Sequence, residues 1–117
     1  MITAEIPDGW ILVSGTEMNG LNRADYICHT EKFSYGDPYL QAEEYGGTFE
    51  DQKKVLESGN PYGTYIGEKE LANGTWYVAE NAAAMQQGDK AFVVKGYLCD
   101  FESEEVQNIL GSIQWIQ

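Results

Sequence analysis

Few residues in this chain are equipped for chemistry. His29 is the single histidine, and Glu31 follows two positions later, a spacing that puts both side chains on one face of a strand. A His–carboxylate pair can act as base and orienter or begin a metal site. One histidine and one acid complete neither. Cys28 stands beside His29, but adjacent strand residues point to opposite faces, so the two cannot form a nucleophile–base pair. Glu43, Glu44 and Glu80 could supply paired carboxylates or oxygen ligands for a cation. Glu43 and Glu44 diverge for the same geometric reason, and no Asp/Asn-rich loop has calcium-binding spacing. Gly46-Gly47 precedes a helix, yet no Gly-Lys-Ser/Thr follows, and Glu50 and Asp51 would repel phosphate from the first turn. Asn73-Gly74-Thr75 matches a glycosylation acceptor and reads better as a turn. The expectation is no catalytic set, no metal and no cofactor.

The elements that hold these residues follow from periodicity. Lys90 to Asp100 is the best strand, rich in aromatic and β-branched residues. Val106, Ile109, Leu110 and Ile113 then fall at i, i+3, i+4, i+7, one apolar stripe on a helix. Ser103 is placed to cap it, with Glu104 and Glu105 where the helix dipole favours negative charge. Earlier, Ile2–Ile6 and Trp10–Val13 read as strands split by the Pro7-Asp8-Gly9 turn. Their successors are Ala24–Thr30, with Tyr26 and Cys28 on one face and Ile27 and His29 on the other, and Pro38–Tyr45, antiparallel to it. Thr48-Phe-Glu-Asp51 reads as a capping box opening a helix to about Ser58, with Phe49, Val55 and Leu56 as its apolar positions. Gly59 then Asn60-Pro61 end it. Tyr62–Leu71 and Thr75–Asn81 are strands around Asn73-Gly74, a type I′ hairpin signal. Ala82–Met85 fits either a strand continuation or a short helical turn, and Gln87-Gly-Asp89 is another turn. The expected architecture is α+β, one domain over 1–117. It has an antiparallel sheet of about six to seven strands covered by two helices, an α/β/α sandwich in the order β-β-β-β-α-β-β-β-α.

Charge is the most extreme global property. Nineteen acids against seven bases leave −12, which argues against direct nucleic-acid binding, since phosphate contacts need Lys and Arg. The acids are scattered, without a run of five like charges. No apolar run is long enough for a membrane span, and Met1-Ile-Thr-Ala-Glu5 is not a secretory signal. The protein is cytoplasmic if Met1 is native, and extracytoplasmic, an envelope lipoprotein or secreted domain, if a leader has been removed. Cys28 and Cys99 both fall in expected strands. A bridge between neighbouring strands is open to them, and two small buried hydrophobes is the favoured reading.

A strand followed by Pro7-Asp-Gly-Trp10, a hairpin, a helix opening on Thr48-Phe-Glu50, a second hairpin and a closing strand plus helix ending Ile109-Leu-Gly-Ser-Ile113 resemble the PsbP / DcrB / Mog-type domain. The resemblance covers nearly the whole chain and rests on packing residues. It implies a central, largely antiparallel sheet between helices and a mostly non-enzymatic role in bacterial proteins: accessory subunit, binding partner, chaperone or envelope-lipoprotein domain. It carries no catalytic constellation to transfer.

Eight tyrosines are many for 117 residues, and tyrosine gives stiff contact area with a polar tip. The expected contact residues are Phe33, Tyr35, Asp37 and Tyr39 at one hairpin, with Tyr62 and Tyr65 after the helix. The expected function is a non-catalytic binding or accessory domain using an acidic, Tyr-rich surface for a basic or amphipathic protein partner. The alternative is an acidic inhibitor, an immunity-type protein or a nucleic-acid mimic that blocks a basic partner. A small enzyme ranks last.

Overall fold

In a computed structural model, residues 2–14, 24–29 and 37–115 are described. Nine strands and two helices lie within them. They are β1 (Ile2–Thr3), β2 (Ile11–Ser14), β3 (Asp25–Cys28), β4 (Tyr39–Tyr45), α1 (Phe49–Ser58), β5 (Tyr65–Leu71), β6 (Gly74–Ala79), β7 (Ala82–Gln87), β8 (Lys90–Tyr97), α2 (Glu104–Ser112) and β9 (Gln114–Trp115). Seven strands form one antiparallel sheet in the order β2-β3-β4-β8-β7-β6-β5, and β1 pairs antiparallel with β9 in a separate two-stranded sheet. The architecture is α+β, as the sequence leads one to expect, with two corrections to the order. Ala82–Gln87 is a strand of its own, and Gln114–Trp115 adds a strand after the closing helix.

Strand alternation sorts the side chains into two sets. Trp76 and Val78 of β6, Ala83 and Met85 of β7, and Phe92 and Val94 of β8 share a core with Val106, Ile109, Leu110 and Ile113. Their sequence neighbours Ala79, Ala82, Ala84 and Ala91 share a second core with Phe49 and Leu56 of α1, edged by Tyr45, Tyr62, Tyr65 and Tyr77. Since successive strand residues face opposite ways, each helix covers one of the two sets. The α2 side is the heavier core. Ile109 and Leu110 are fully buried there, and each such side chain contributes about 1.5–3 kcal/mol by leaving water. The α1 side rests on alanines, which let the helix approach closely but bury little area.

Both helix starts form as their capping residues dictate. The Asp51 N–H donates to Thr48 Oγ1 at 3.1 Å, and the Val106 N–H donates to Ser103 Oγ at 3.2 Å. Helix α1 ends at Gly59 in the left-handed region (φ 80°), followed by a cis Asn60–Pro61 bond. One helical position differs from the sequence pattern: Gln52, between Phe49 and Leu56 on the inward stripe, is buried, whereas Val55 is only half-buried.

The β5–β6 hairpin is offset by one residue from the expected turn. Leu71 pairs with Gly74, so Ala72-Asn73 form the loop and Gly74 opens the strand. Gly74, not Asn73, takes the positive φ, at 130°, so this is not a type I′ turn. Asn73 is committed to α2 instead. Its Nδ2 donates to the carbonyls of Leu110 (2.8 Å) and Ile113 (3.0 Å), while its Oδ1 accepts from Trp76 Nε1 at 2.8 Å. The Leu110 carbonyl also accepts the Ile113 N–H at 3.2 Å, so Asn73 adds a second donor at the end of the helix, where carbonyls run out of intrahelical partners.

At the other end of α2, Phe101 lies over bare backbone. A Cβ on Gly96 would sit 2.3 Å from Phe101 Cε1, so only glycine allows that ring its buried seat. Leu98 between them has φ 57°. This left-handed residue turns the chain out of β8 and back across the sheet.

Candidate functional site: an aromatic and charged sheet face

On β3, β4 and β8, the face shared with α1 carries a row of polar aromatics. Ile27 and Leu40 belong to the α2-side core, so their neighbours Tyr26 and Tyr39 point the other way, and Tyr97 joins them because it registers with Tyr39. The Tyr39 and Tyr97 rings stack at 5.6 Å between centroids with 28° between planes, and Tyr26 meets Tyr39 edge-on at 6.0 Å. All three rings are half-buried. Leu98, next along the chain, is 64% exposed, the most exposed large apolar residue among those described. It keeps this exposure in a backbone region that disfavours side chains with a Cβ.

Further along the same strands, two residues from Tyr97 and four from Tyr39, the face becomes charged. Lys95 Nζ lies 2.7 Å from a Glu43 carboxylate oxygen. Burial pulls the Lys95 ammonium down, but its hydrogen bond to Glu43, that carboxylate's charge and the Tyr62 hydroxyl outweigh it and leave the pKa raised. Beyond Tyr62 the aromatic row continues at the edge of α1. Phe49 meets Tyr77 edge-on at 5.3 Å, and Lys53 Nζ stands 4.9 Å above the Tyr77 ring, an arrangement that favours the cation over the ring face. The Tyr65 phenol has its pKa raised by burial, with the charges of Glu57 and Glu68 and then Tyr77 adding to the effect.

Of the residues expected to make contact, Phe33 and Tyr35 lie outside the described residues. Asp37 and Tyr39 are half-buried, and Tyr39 lies inside the stack. Tyr62 and Tyr65 pack at the rim of α1. Tyr26, Tyr97, Lys95 and Leu98 were not singled out by sequence. Strand parity could have found the first three: Tyr26 shares a face with Cys28, and Lys95 with Tyr97.

The remaining chemistry-bearing residues are held in structural contacts. His29 Nδ1 lies 2.6 Å from the Gly9 carbonyl, and its ring is 4.2 Å from that of Trp10, so His29 ties β3 to the turn before β2. Glu31 lies outside the described residues. Glu44 lies 3.7 Å from Lys90. Glu80 Oε1 accepts the Thr64 N–H at 2.7 Å. That backbone bond, with a further one to the Thr64 side chain, holds the Glu80 carboxyl below its usual range against a smaller opposing effect of burial.

Cys28 and Cys99 are not bridged to each other. Cys28 shares the Tyr26 face, whereas Cys99 packs against the α2-side core, so the sheet separates them. Cys99 lies just past β8, not within the strand, and is half-buried rather than fully enclosed. Its thiol donates toward the carbonyls of Tyr39 and Tyr97, each at 3.4 Å, and burial pushes its pKa up to about 11.

Among the described residues, no helix is long and apolar enough to cross a membrane. No family model, curated protein or solved structure matches this chain.

Proposed function

We propose that this protein is a non-catalytic binding or accessory domain, and that the Tyr26–Tyr39–Tyr97 face with Leu98 docks a basic or amphipathic protein segment. The observation that carries this reading is a half-exposed tyrosine stack followed, one residue along the chain from Tyr97, by a 64% exposed leucine in a chain of net charge −12. Stacked tyrosines offer area with little side-chain entropy left to lose, and an exposed leucine supplies an apolar anchor. The surplus of acids favours encounter with a basic partner and raises association rates at low salt. A helix–sheet–helix layering of accessory character is also what the PsbP / DcrB / Mog-type resemblance implies.

The acidic-inhibitor alternative calls for one uninterrupted anionic stripe. On the tyrosine face of β4 the acid Glu43 is paired with Lys95, which weakens that reading for this face.

The test is affinity capture from the native host with the wild-type chain, Tyr97→Ala and Leu98→Ser, read by mass spectrometry and repeated at low and high salt. The proposal expects a protein held by the wild type, released by salt and lost with either substitution while circular dichroism stays unchanged. Equal capture by all three chains places the contact elsewhere. Capture of nothing rules out protein docking.

A further inference from the structure

Among the described residues, the large sheet ends on β2 at one side and on β5 at the other. An edge strand presents backbone N–H and C=O groups to any strand that comes alongside, and folds blunt such edges with charges and bulges. The β5 edge carries both devices. Its ladder shifts register between Tyr65 and Gly67, and Glu68, Lys69 and Glu70 follow in a row. If two copies of β5 paired antiparallel about Lys69, lysine would face lysine and each Glu68 would face a Glu70. Like charges directly opposite destabilise a strand pair, so β5 is built against meeting itself.

The β2 edge is built differently. Ile11-Leu12-Val13-Ser14 carries no charge, and all four residues keep an unbroken register with β3. Leu12 registers with Ile27 of the α2-side core, yet it is 36% exposed. It and Leu98 are the large apolar side chains left exposed among the described residues. The segment is also its own complement. Antiparallel pairing about Leu12 sets Leu12 against its copy on the α2 side, and Ile11 of each copy against Val13 of the other on the tyrosine side. Each of these pairs is apolar, and residues that meet share a face. A twofold axis normal to the sheet therefore continues both faces from one copy to the next.

We infer that β2 is a self-association edge: two copies of this chain pair antiparallel through Ile11–Ser14, with Leu12 on the twofold axis, and join their seven-stranded sheets into one. The inference goes beyond the docking reading and does not rest on it. A pair of four-residue strands is smaller than the roughly 800 Å² per partner of a standard stable interface, so the dimer is weak, with a dissociation constant of about 0.1–1 mM. The charge of −12 on each copy opposes the approach until salt screens it. Salt therefore strengthens this contact, whereas it releases a basic partner from the tyrosine face.

The test is sedimentation equilibrium of the full chain from about 10 µM to about 1 mM, spanning that constant, at low and high salt, with amide hydrogen exchange at both ends of the range. The expected result is a dimer that forms with concentration and tightens in salt. Leu12→Lys should weaken it by about tenfold or more, because two ammonium groups then meet on the axis. The lysine replaces a side chain that already reaches solvent, so the circular dichroism of the monomer should not change. Exchange in the wild type should slow with concentration at Ile11–Ser14 and stay constant at Tyr65–Leu71, a readout that does not depend on the variant folding. A chain that stays monomeric at the highest concentration in high salt overturns the inference. So does a dimer that Leu12→Lys leaves intact, or one whose added protection falls outside β2. A monomeric chain whose β2 amides are protected only by a captured protein gives the edge to that protein and overturns self-association too.

Discussion

Gln52 is the least comfortable side chain in the described structure, and replacing it should stabilise the protein. It is 3% exposed, on the inward stripe of α1 between Phe49 and Leu56, and its Nε2 has no hydrogen-bond partner. A buried donor left unpaired costs about 1–3 kcal/mol. Methionine has nearly the same length and shape, brings no polar hydrogen, and matches glutamine in helix propensity. Gln52→Met should therefore raise the unfolding free energy by about 1–2 kcal/mol once imperfect repacking is allowed for. For 117 residues the unfolding entropy near the midpoint is about 0.25 kcal/mol per kelvin, so Tm should rise by about 4–8 °C. Urea unfolding followed by circular dichroism, with the slope unchanged between variants, reads this directly. A loss of stability would show that the amide is bonded in solution and would refute the reasoning. Gln52→Glu is the companion variant and should lower stability, because it buries a charge in the same place.

Three further outcomes follow from other contacts. Ile109→Ala or Leu110→Ala should each cost about 2–5 kcal/mol, since both are fully buried; a change within error in urea would undo the packing assigned to α2. The Glu80 carboxyl is held below its usual range, so its contribution is fully present above the unfolded glutamate pKa and is lost as pH falls through the lowered folded value. Glu80→Gln should accordingly flatten the acid limb of the stability–pH curve and leave the alkaline limb untouched. Cys99, with its thiol pushed up to about 11, should be alkylated by iodoacetamide at a rate that keeps climbing with pH well past 9, and a plateau near 8.5 would contradict its packing.

The parts of the fold legible in sequence were those where local chemistry and tertiary packing agree. Thr48 and Ser103 cap helices because a hydroxyl before a run of acids and apolar residues has few better uses. The stripe Val106, Ile109, Leu110 and Ile113 has one way to face a sheet. The β7 strand was ambiguous because alanine has weak strand preference. Its alanines make sense only once α1 is seen lying on them, which is a fact about residues about thirty positions away. Asn73 misled for a related reason. It looks like a turn residue, yet its amide serves three groups outside the turn, two of them at the end of α2. At the candidate site, Tyr39 was chosen for its place in a hairpin. Its stacking partner Tyr97 lies 58 positions later and becomes a neighbour only through the β4–β8 register.

That register has a consequence for how the molecule assembles. The strand order divides into two local meanders, β2-β3-β4 and β5-β6-β7-β8, joined along a single seam from Tyr39↔Tyr97 to Tyr45↔Ala91. Every other pairing in the large sheet links strands consecutive in the chain, but the seam must close a loop containing α1 and three strands. Loop-closure entropy puts such a contact late in folding, after the local hairpins. The tyrosine stack straddles this seam, so the surface assigned to partner binding is completed only when the two halves meet. A chain divided at Gly46–Gly47 would separate it into two pieces, each keeping its own meander, and their reassociation would restore the Tyr39–Tyr97 contact and the seam in one step.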